Sequence, residues 1–209
     1  MKTGLKRGDR ADFAANFLSL CLRQNAKRTM DTLVRQALPE DAESIAALHI
    51  RSWQIAYRGQ LPDRYLDRLD EELELRIESW RAQISSSLAD HHEIWVIGAG
   101  SAIHGFAALG PAREANSSIT GELYAIYLNP DHWGQGIGRT LFTHTTERLG
   151  ALGYSAAILW VLESNLRARR FYEIAGWAFD GGTQRESRRD GVELREVRYR
   201  ISLRPENEE

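Results

Sequence analysis

Two periods of hydrophobic patterning divide the chain. Thr32–Ala37 is short and β-prone, and Pro39-Glu-Asp41 punctuates it; Asp41 is the predicted N-cap of the next helix. Ile45, Leu48, His49, Ser52, Trp53 and Ala56 then recur at helical spacing and give one largely apolar face. Gly59 and Pro62 break the chain, and Asp63–Ser85 reads as a second helix with Leu66, Leu69, Leu73, Ile77, Trp80 and Ile84 as its inner stripe. From Asp90 the texture changes. Glu93–Ile97, Ile103–Leu109, Ile119–Leu128, Ser155–Leu162 and Val192–Leu203 read as strands bounded by glycine, asparagine or proline, with helices over Gly138–Leu149 and Leu166–Ala175. The order β, α, α, three strands, α, β, α, then strands predicts a mixed α/β domain with one continuous core. No repeat, linker or low-complexity stretch interrupts it.

Composition narrows the class. The 209 residues suit one domain with a sizeable core, and 43% hydrophobic with 27% charged residues is ordinary for a globular chain. A formal charge of −2 provides no global field for nucleic acid. The longest apolar runs, about ten residues, are too short to cross a bilayer. Cys21 is the sole cysteine, which excludes an internal disulfide and a multi-cysteine metal site. The expected location is cytoplasmic, with no membrane or nucleic-acid partner. Lys2, Lys6, Arg7 and Arg10 precede apolar Phe13–Leu22 in the manner of a secretory signal. Asp9, Asp12 and Asn16 interrupt that pattern, and no small-residue cleavage site succeeds it. Residues 1–29 are therefore read as an N-terminal extension, 30–203 as the domain, and 204–209 as an acidic tail.

One segment carries most of the chemistry: Leu128-Asn-Pro-Asp-His-Trp-Gly-Gln-Gly-Ile-Gly-Arg-Thr-Leu141. A strand ends, Pro130 forbids its continuation, and Gly134, Gly136 and Gly138 lead into a helix. Alternating glycines let a backbone approach a ligand closely, and the first N–H groups of a helix lack internal partners beside a positive dipole end. A phosphate fits such a place. A dinucleotide fingerprint begun at Gly134 needs glycine where Arg139 stands, and a Walker A loop needs a Gly-Lys-Ser/Thr that is absent.

Trp133-Gly-Gln-Gly-Ile-Gly138 resembles the Gln/Arg-x-x-Gly-x-Gly/Ala motif of the GNAT superfamily of acetyl-CoA-dependent N-acetyltransferases, departing from it at Trp133. Two more segments match in the same order. Gly121-Glu122-Leu-Tyr-Ala-Ile126-Tyr-Leu128-Asn-Pro130 resembles the strand entering that turn. Asn165-Leu-Arg-Ala168-Arg-Arg-Phe171-Tyr172-Glu-Ile-Ala-Gly176-Trp177 resembles the family's Asn-x-x-Ala-x-x-Phe-Tyr-x-x-x-Gly-Phe segment. The resemblance implies a GNAT fold: a mostly antiparallel twisted sheet of six to seven strands, splayed between the fourth and fifth and flanked by four helices. It implies acetyl-CoA as co-substrate, with no metal, and a primary amine on a small molecule or peptide as acceptor; the alternative is a regulatory acyl-CoA-binding domain without turnover. Many relatives are homodimers, and nothing in this sequence marks that property.

Residue by residue, the resemblance places the pyrophosphate on the turn Trp133, Gly134, Gln135, Gly136, Ile137, Gly138 and Arg139. It sets pantetheine along Ile126, Tyr127 and Leu128, with the Ile126 N–H toward the acetyl oxygen and Leu128 on a pantetheine amide. Asn165 contacts cofactor, caps its helix, or does both. Tyr172 matches the tyrosine that protonates the leaving thiolate, and is otherwise a core aromatic. Acetyl transfer requires a neutral amine, a polarised carbonyl and a proton for the sulfur. Strict alternation sets Glu122, Tyr124, Ile126 and Leu128 on one face unless a bulge shifts it, making Glu122 either the base or an ion-paired strand carboxylate, with Glu163 as rival base. Trp53, Tyr57, Arg58 and Trp80 lie where the family builds its acceptor wall; helical spacing also suits Trp53 and Trp80 to the core.

Overall fold

The computed structural model describes residues 32–86, 92–113, 119–188 and 191–204; the N-terminal extension and residues 205–209 of the acidic tail lie outside them. Seven strands form one sheet: β1 (Leu33–Gln36), β2 (Glu93–Ala99), β3 (Ala102–Pro111), β4 (Thr120–Leu128), β5 (Ala156–Leu162), β6 (Ala178–Ser187) and β7 (Glu193–Ser202). Their order is β1-β2-β3-β4-β5-β7-β6, antiparallel throughout except for the parallel pair β4–β5. α1 (Ala42–Ala56), a short α2 (Asp63–Asp67), α3 (Leu73–Ser86), α4 (Ile137–Ala151) and α5 (Leu166–Ile174) supply the flanks, the four longer helices being those expected.

Each face of the sheet has its own core. Ile45, Leu48, Ile77, Trp80 and Ile84 of α1 and α3 pack on Ile94, Val96 and Phe106. Leu141, Phe142 and Leu149 of α4, with Tyr172 and Trp177, pack on Leu109, Leu123, Leu159 and Val197. A third cluster joins Ile50, Trp53 and Tyr57 to Leu66, Leu69, Leu162 and Leu194. Burial at roughly 25 cal/mol per Å² of apolar surface is the main force holding these layers together.

Two expectations need correction, and one strand carried no signal. Asp63–Ser85 is not one helix: a 3₁₀ turn over Leu69–Glu72 divides it. The Gln54 amide donates to the Leu66 carbonyl and to Asp70 there, and the break lets Leu69 turn fully inward. Asp41 makes no side-chain cap to α1. Its carboxylate reaches backward, accepting two hydrogen bonds from Arg35 (2.6 and 2.9 Å) and one from the Leu38 N–H (2.8 Å). β6 is exposed along nearly its whole length and thus lacks the hydrophobic alternation that announces a strand. Among the described residues no helix is long and apolar enough to cross a membrane.

Hydrogen bonds from Arg35 hold the Asp41 carboxyl below its ordinary 3.8. Its contribution is therefore complete above that value and is lost as pH falls through the lower folded-state pKa. Asp41→Asn should cost about 1–2 kcal/mol at pH 7, and thermal unfolding should show the gap to the native chain closing below pH 3.8.

Candidate active site

The sheet opens at its centre. β4 pairs with β5 only from Thr120↔Ala156 to Leu123↔Leu159. Beyond that point β4 continues on β3 and β5 continues on β7, so Tyr124–Leu128 and Trp160–Leu162 face one another unpaired. A bulge coincides with the parting: Leu109 opposes Leu123 and Ala108 opposes Ala125, leaving Tyr124 as the extra residue. Strict alternation is thereby overturned. Leu123, Ile126 and Leu128 pack toward α4, whereas Tyr124, Ala125 and Tyr127 pack toward α1 and α3. Glu122, the neighbour of Leu123, falls on the face opposite Ile126 and Leu128.

The exposed edge of β4 presents main-chain groups. The Asn129 N–H donates to the His104 carbonyl on β3 (2.8 Å), so alternation directs the N–H groups of Leu128 and Ile126 into the gap. The Leu128 carbonyl is already engaged, accepting from the Ser52 hydroxyl (3.0 Å) and the Trp133 indole N–H (3.2 Å). Trp133, the departure from the family motif, thus ties the turn to β4. Its ring lies beneath the Arg167 guanidinium, 3.9 Å away on α5, a cation–π contact spanning the two arms of the opening.

Gly134 and Gly136 have φ of +73° and +83°, and a Cβ at either would meet nothing within 4 Å. Gly138 serves close packing instead: its Cβ would lie 2.5 Å from the Leu128 Cδ1. Asn129 starts the preceding 3₁₀ turn by accepting from the Asp131 N–H (3.1 Å), and Asp131 is paired with Arg51. Gly136 is the N-cap of α4. Among the described residues, none of the N–H groups from Gly134 to Arg139 has a hydrogen-bond partner. Arg139 is exposed on the first turn of the helix.

A cleft of about 1080 Å³ runs through the gap. Of the predicted residues it gathers Ile126, Tyr127, Leu128, Trp133, Gly138, Asn165 and Tyr172; Gly134, Gln135 and Gly136 form the turn after Trp133, and Ile137 and Arg139 lie in the first turn of α4, these five not lining the cleft. Asn165 caps α5, its Oδ1 accepting from the Ala168 N–H (3.1 Å). Tyr172 is buried against Phe142, Phe171 and Tyr199, and among the described residues its hydroxyl has no hydrogen-bond partner. Burial, with Tyr127 nearby, pushes that phenol well above its ordinary range, so it stays protonated. Trp53, Tyr57 and Trp80 line the cleft, while Arg58 is turned away and paired with Asp63 and Asp67.

Neither carboxylate considered as a base lines the cleft. Glu122 is 1% exposed and ion-paired. One oxygen accepts from the Arg113 backbone N–H (3.0 Å), and the other accepts from Arg113 Nε (3.0 Å) and Nη2. Glu163 is half exposed and leans on Arg195 at 3.7 Å. The cleft instead collects residues that local patterning passed over: His49, Arg167, Arg188, Glu186 and Glu196. His49 had a signal, its spacing of four and eight from Trp53 and Tyr57. Glu196 had none, because β7 reaches the site through pairing with β5.

His49 shows how dry the wall is. It packs on Tyr127 at 4.6 Å between ring centroids, touches Trp53, Trp80 and Phe106, and Arg76 Nη1 lies 3.5 Å from its Nδ1. Burial first, then the charges of Arg76 and Arg188, push its pKa down from 6.5 to about 3.

The geometry is a split sheet with an amide-lined turn and a phenol between its arms, and comparison with known proteins gives its class. The sequence profile of the acetyltransferase (GNAT) family matches residues 50–177. The N-acetyltransferase YuaI of Bacillus subtilis is 34% identical over 133 residues, covering 63% of this chain and 72% of YuaI. In structure the chain is similar to the PaiA N-acetyltransferase of Thermoplasma acidophilum in complex with coenzyme A, at TM-score 0.64 and 20% identity over 82% of this chain and 98% of that one. It is also similar to YncA of Salmonella typhimurium with its cofactor acetyl-CoA, at TM-score 0.61 and 17% identity, covering 85% and 97%. The chain belongs to the GNAT acetyltransferase family. It is an enzyme of the acetyl-CoA N-acetyltransferase class.

Because folding depresses the His49 pKa, the unfolded chain binds the extra proton below 6.5, and stability falls from there toward pH 3. The expected slope from this one group is up to about 1.4 kcal/mol per pH unit. Urea unfolding across that range should show His49→Gln losing less stability per pH unit than the native chain.

Proposed function

We propose that this enzyme acetylates a primary amine of a small molecule or peptide by direct attack on acetyl-CoA within a ternary complex. The observation that carries the reading is the row of unpartnered N–H groups from Gly134 to Arg139, opening beside a sheet split at Tyr124. Those amides, the positive end of α4 and the open space above Gly134 and Gly136 fit a diphosphate. Arg167, held on Trp133, brings a cation to the same end of the cleft.

Acetyl-CoA, when bound, supplies an acetyl group already activated as a thioester. The chain does the rest. The N–H groups of Leu128 and Ile126 hold the extended arm as an added strand, and the Ile126 N–H stabilises negative charge on the acetyl oxygen. Asn165 keeps the start of α5 in place, which sets Tyr172. The Tyr172 hydroxyl, dry and without a protein partner, delivers its proton to the leaving sulfur. The walls formed by Trp53, Tyr57, Tyr127 and Trp80 exclude water and orient the acceptor.

The test is an acetyl-transfer screen over aralkylamines, polyamines, amine-bearing antibiotics and peptides, read by release of free thiol, alongside calorimetry with acetyl-CoA. Tyr172→Phe should bind acetyl-CoA within about threefold of the native enzyme yet lose roughly 10²–10³-fold in kcat/KM. Gly136→Ala, which forces a side chain into a left-handed backbone, should weaken acetyl-CoA at least about tenfold while costing about 1–2 kcal/mol of stability. Acceptance of NAD or ATP in place of acetyl-CoA, or no binding of any of them, overturns the proposal.

A further inference from the structure

Glu196 has no role in anything described so far, and its position is unusual. It sits on β7 opposite Leu162, the last residue of β5, and opposite Gln184 of β6. There it lines the cleft together with Tyr127 and Tyr172, half-buried. The other carboxylate lining the cleft, Glu186, is paired with Arg188 at 2.8 Å. Glu122, behind the wall, is held by Arg113. Among the described residues Glu196 has no ion-pair partner; it accepts one hydrogen bond, from the neutral Gln184 amide at 2.7 Å. The nearest guanidiniums, Arg113 and Arg188, are committed to Glu122 and Glu186, so a half-buried carboxylate here has a place for the positive charge of a ligand.

We propose that Glu196 is that missing half of the acceptor site: it binds the incoming ammonium and takes its proton. The proposal rests on reading the cleft as the place where acetyl-CoA and amine meet. The rival bases are otherwise engaged. His49 is held neutral down to about pH 3 and its Nδ1 faces Arg76, so it accepts a proton poorly near neutrality. His92 is exposed against the Tyr124 ring. Burial raises the Glu196 carboxyl above its ordinary value, which strengthens it as a base. It is faced by Tyr57 at the C-cap of α1, Tyr127 of β4, Glu186 and Arg188 beside it, and Arg113, the two guanidiniums opposing the upward shift. The Tyr127 oxygen accepts from the Trp53 indole N–H (2.9 Å) and is hydrogen-bonded to the Tyr57 hydroxyl.

The protons balance. The acceptor arrives as R–NH3+, and Glu196 takes one proton to leave R–NH2. The nitrogen lone pair forms the C–N bond, and the C–S bond breaks with its electron pair on sulfur, which receives the Tyr172 proton. The second proton on nitrogen, acidic once the nitrogen is acylated, passes through water to the Tyr172 oxygen. Glu196 then releases its proton to solvent. The sum is ammonium plus thioester giving amide, thiol and one H+.

Two measurements test this. In ¹³C-glutamate-labelled protein bound to acetyl-CoA, the signal missing from Glu196→Gln should titrate above the ordinary 4.5 and shift with n-propylammonium chloride. In assays with 2-phenylethylamine, spermidine and an alanine-initiated tripeptide, Glu196→Gln should lose roughly 10²–10³-fold in kcat/KM at pH 7 while keeping its affinity for acetyl-CoA. That deficit should shrink as pH passes the pKa of each amine, about 8 for the tripeptide and above about 10 for the alkylamines; a structural role would leave it constant. A Glu196 signal indifferent to amine, or a variant as active as the native enzyme, overturns the assignment. Loss of acetyl-CoA binding by the native protein strikes the underlying reading instead.

Discussion

The parting of β4 from β5 is the constraint on which the rest depends. A strand inside a sheet satisfies both edges of its backbone, and buried main-chain N–H and C=O groups without partners are costly. From Tyr124 onward β4 has a neighbour on one side only. Part of the open edge is satisfied internally, as the Leu128 carbonyl shows by accepting from Ser52 and Trp133. The N–H groups of Leu128 and Ile126 face the gap. Strand separation thus leaves main-chain donors open through the same hydrogen-bonding requirement that holds the remaining strands together.

The bulge at Tyr124 makes the separation possible and also sorts the side chains. By inserting one residue it exchanges the faces of everything downstream, bringing Ile126 and Leu128 onto the α4 side and Tyr127 onto the α1 side. Glu122, upstream of the bulge, is left under Arg113. Only the carboxylate of this pair is buried, so removing Arg113 strands a charge. The pair therefore acts as part of the wall, with Arg113 also lying over the Tyr124 ring at 5.2 Å.

Polarity grades along the cleft. At the turn, amide dipoles and Arg167 present positive charge. In the middle, His49, Tyr57, Tyr127 and Tyr172 are all held neutral by burial. At the β7 side stand Glu186 with Arg188, and Glu196 without a cation. Such a gradient suits an anionic carrier entering from one end and a cationic acceptor from the other, with a region of low dielectric where they meet.

The order of elements, the glycine turn into α4, the Asn165 cap and the position of Tyr172 were legible in the chain because each depends on residues close in sequence. Glycine permits a left-handed φ, asparagine caps the helix beginning just after it, and a helical stripe repeats within a few residues. The break at Leu69 and the backward reach of Asp41 were not legible, since each is set by a partner from another segment, Gln54 in one case and Arg35 in the other. The same holds for the site. Local patterning located the glycine turn into α4 and the aromatic wall, but a single bulge decides which face Glu122 occupies. Only the pairing of β7 with β5 brings Glu196 to the cleft. Short-range rules act through backbone dihedrals, which a few neighbouring residues determine; which carboxylate stands beside which cation depends on long-range register, and that exists only once the sheet has formed.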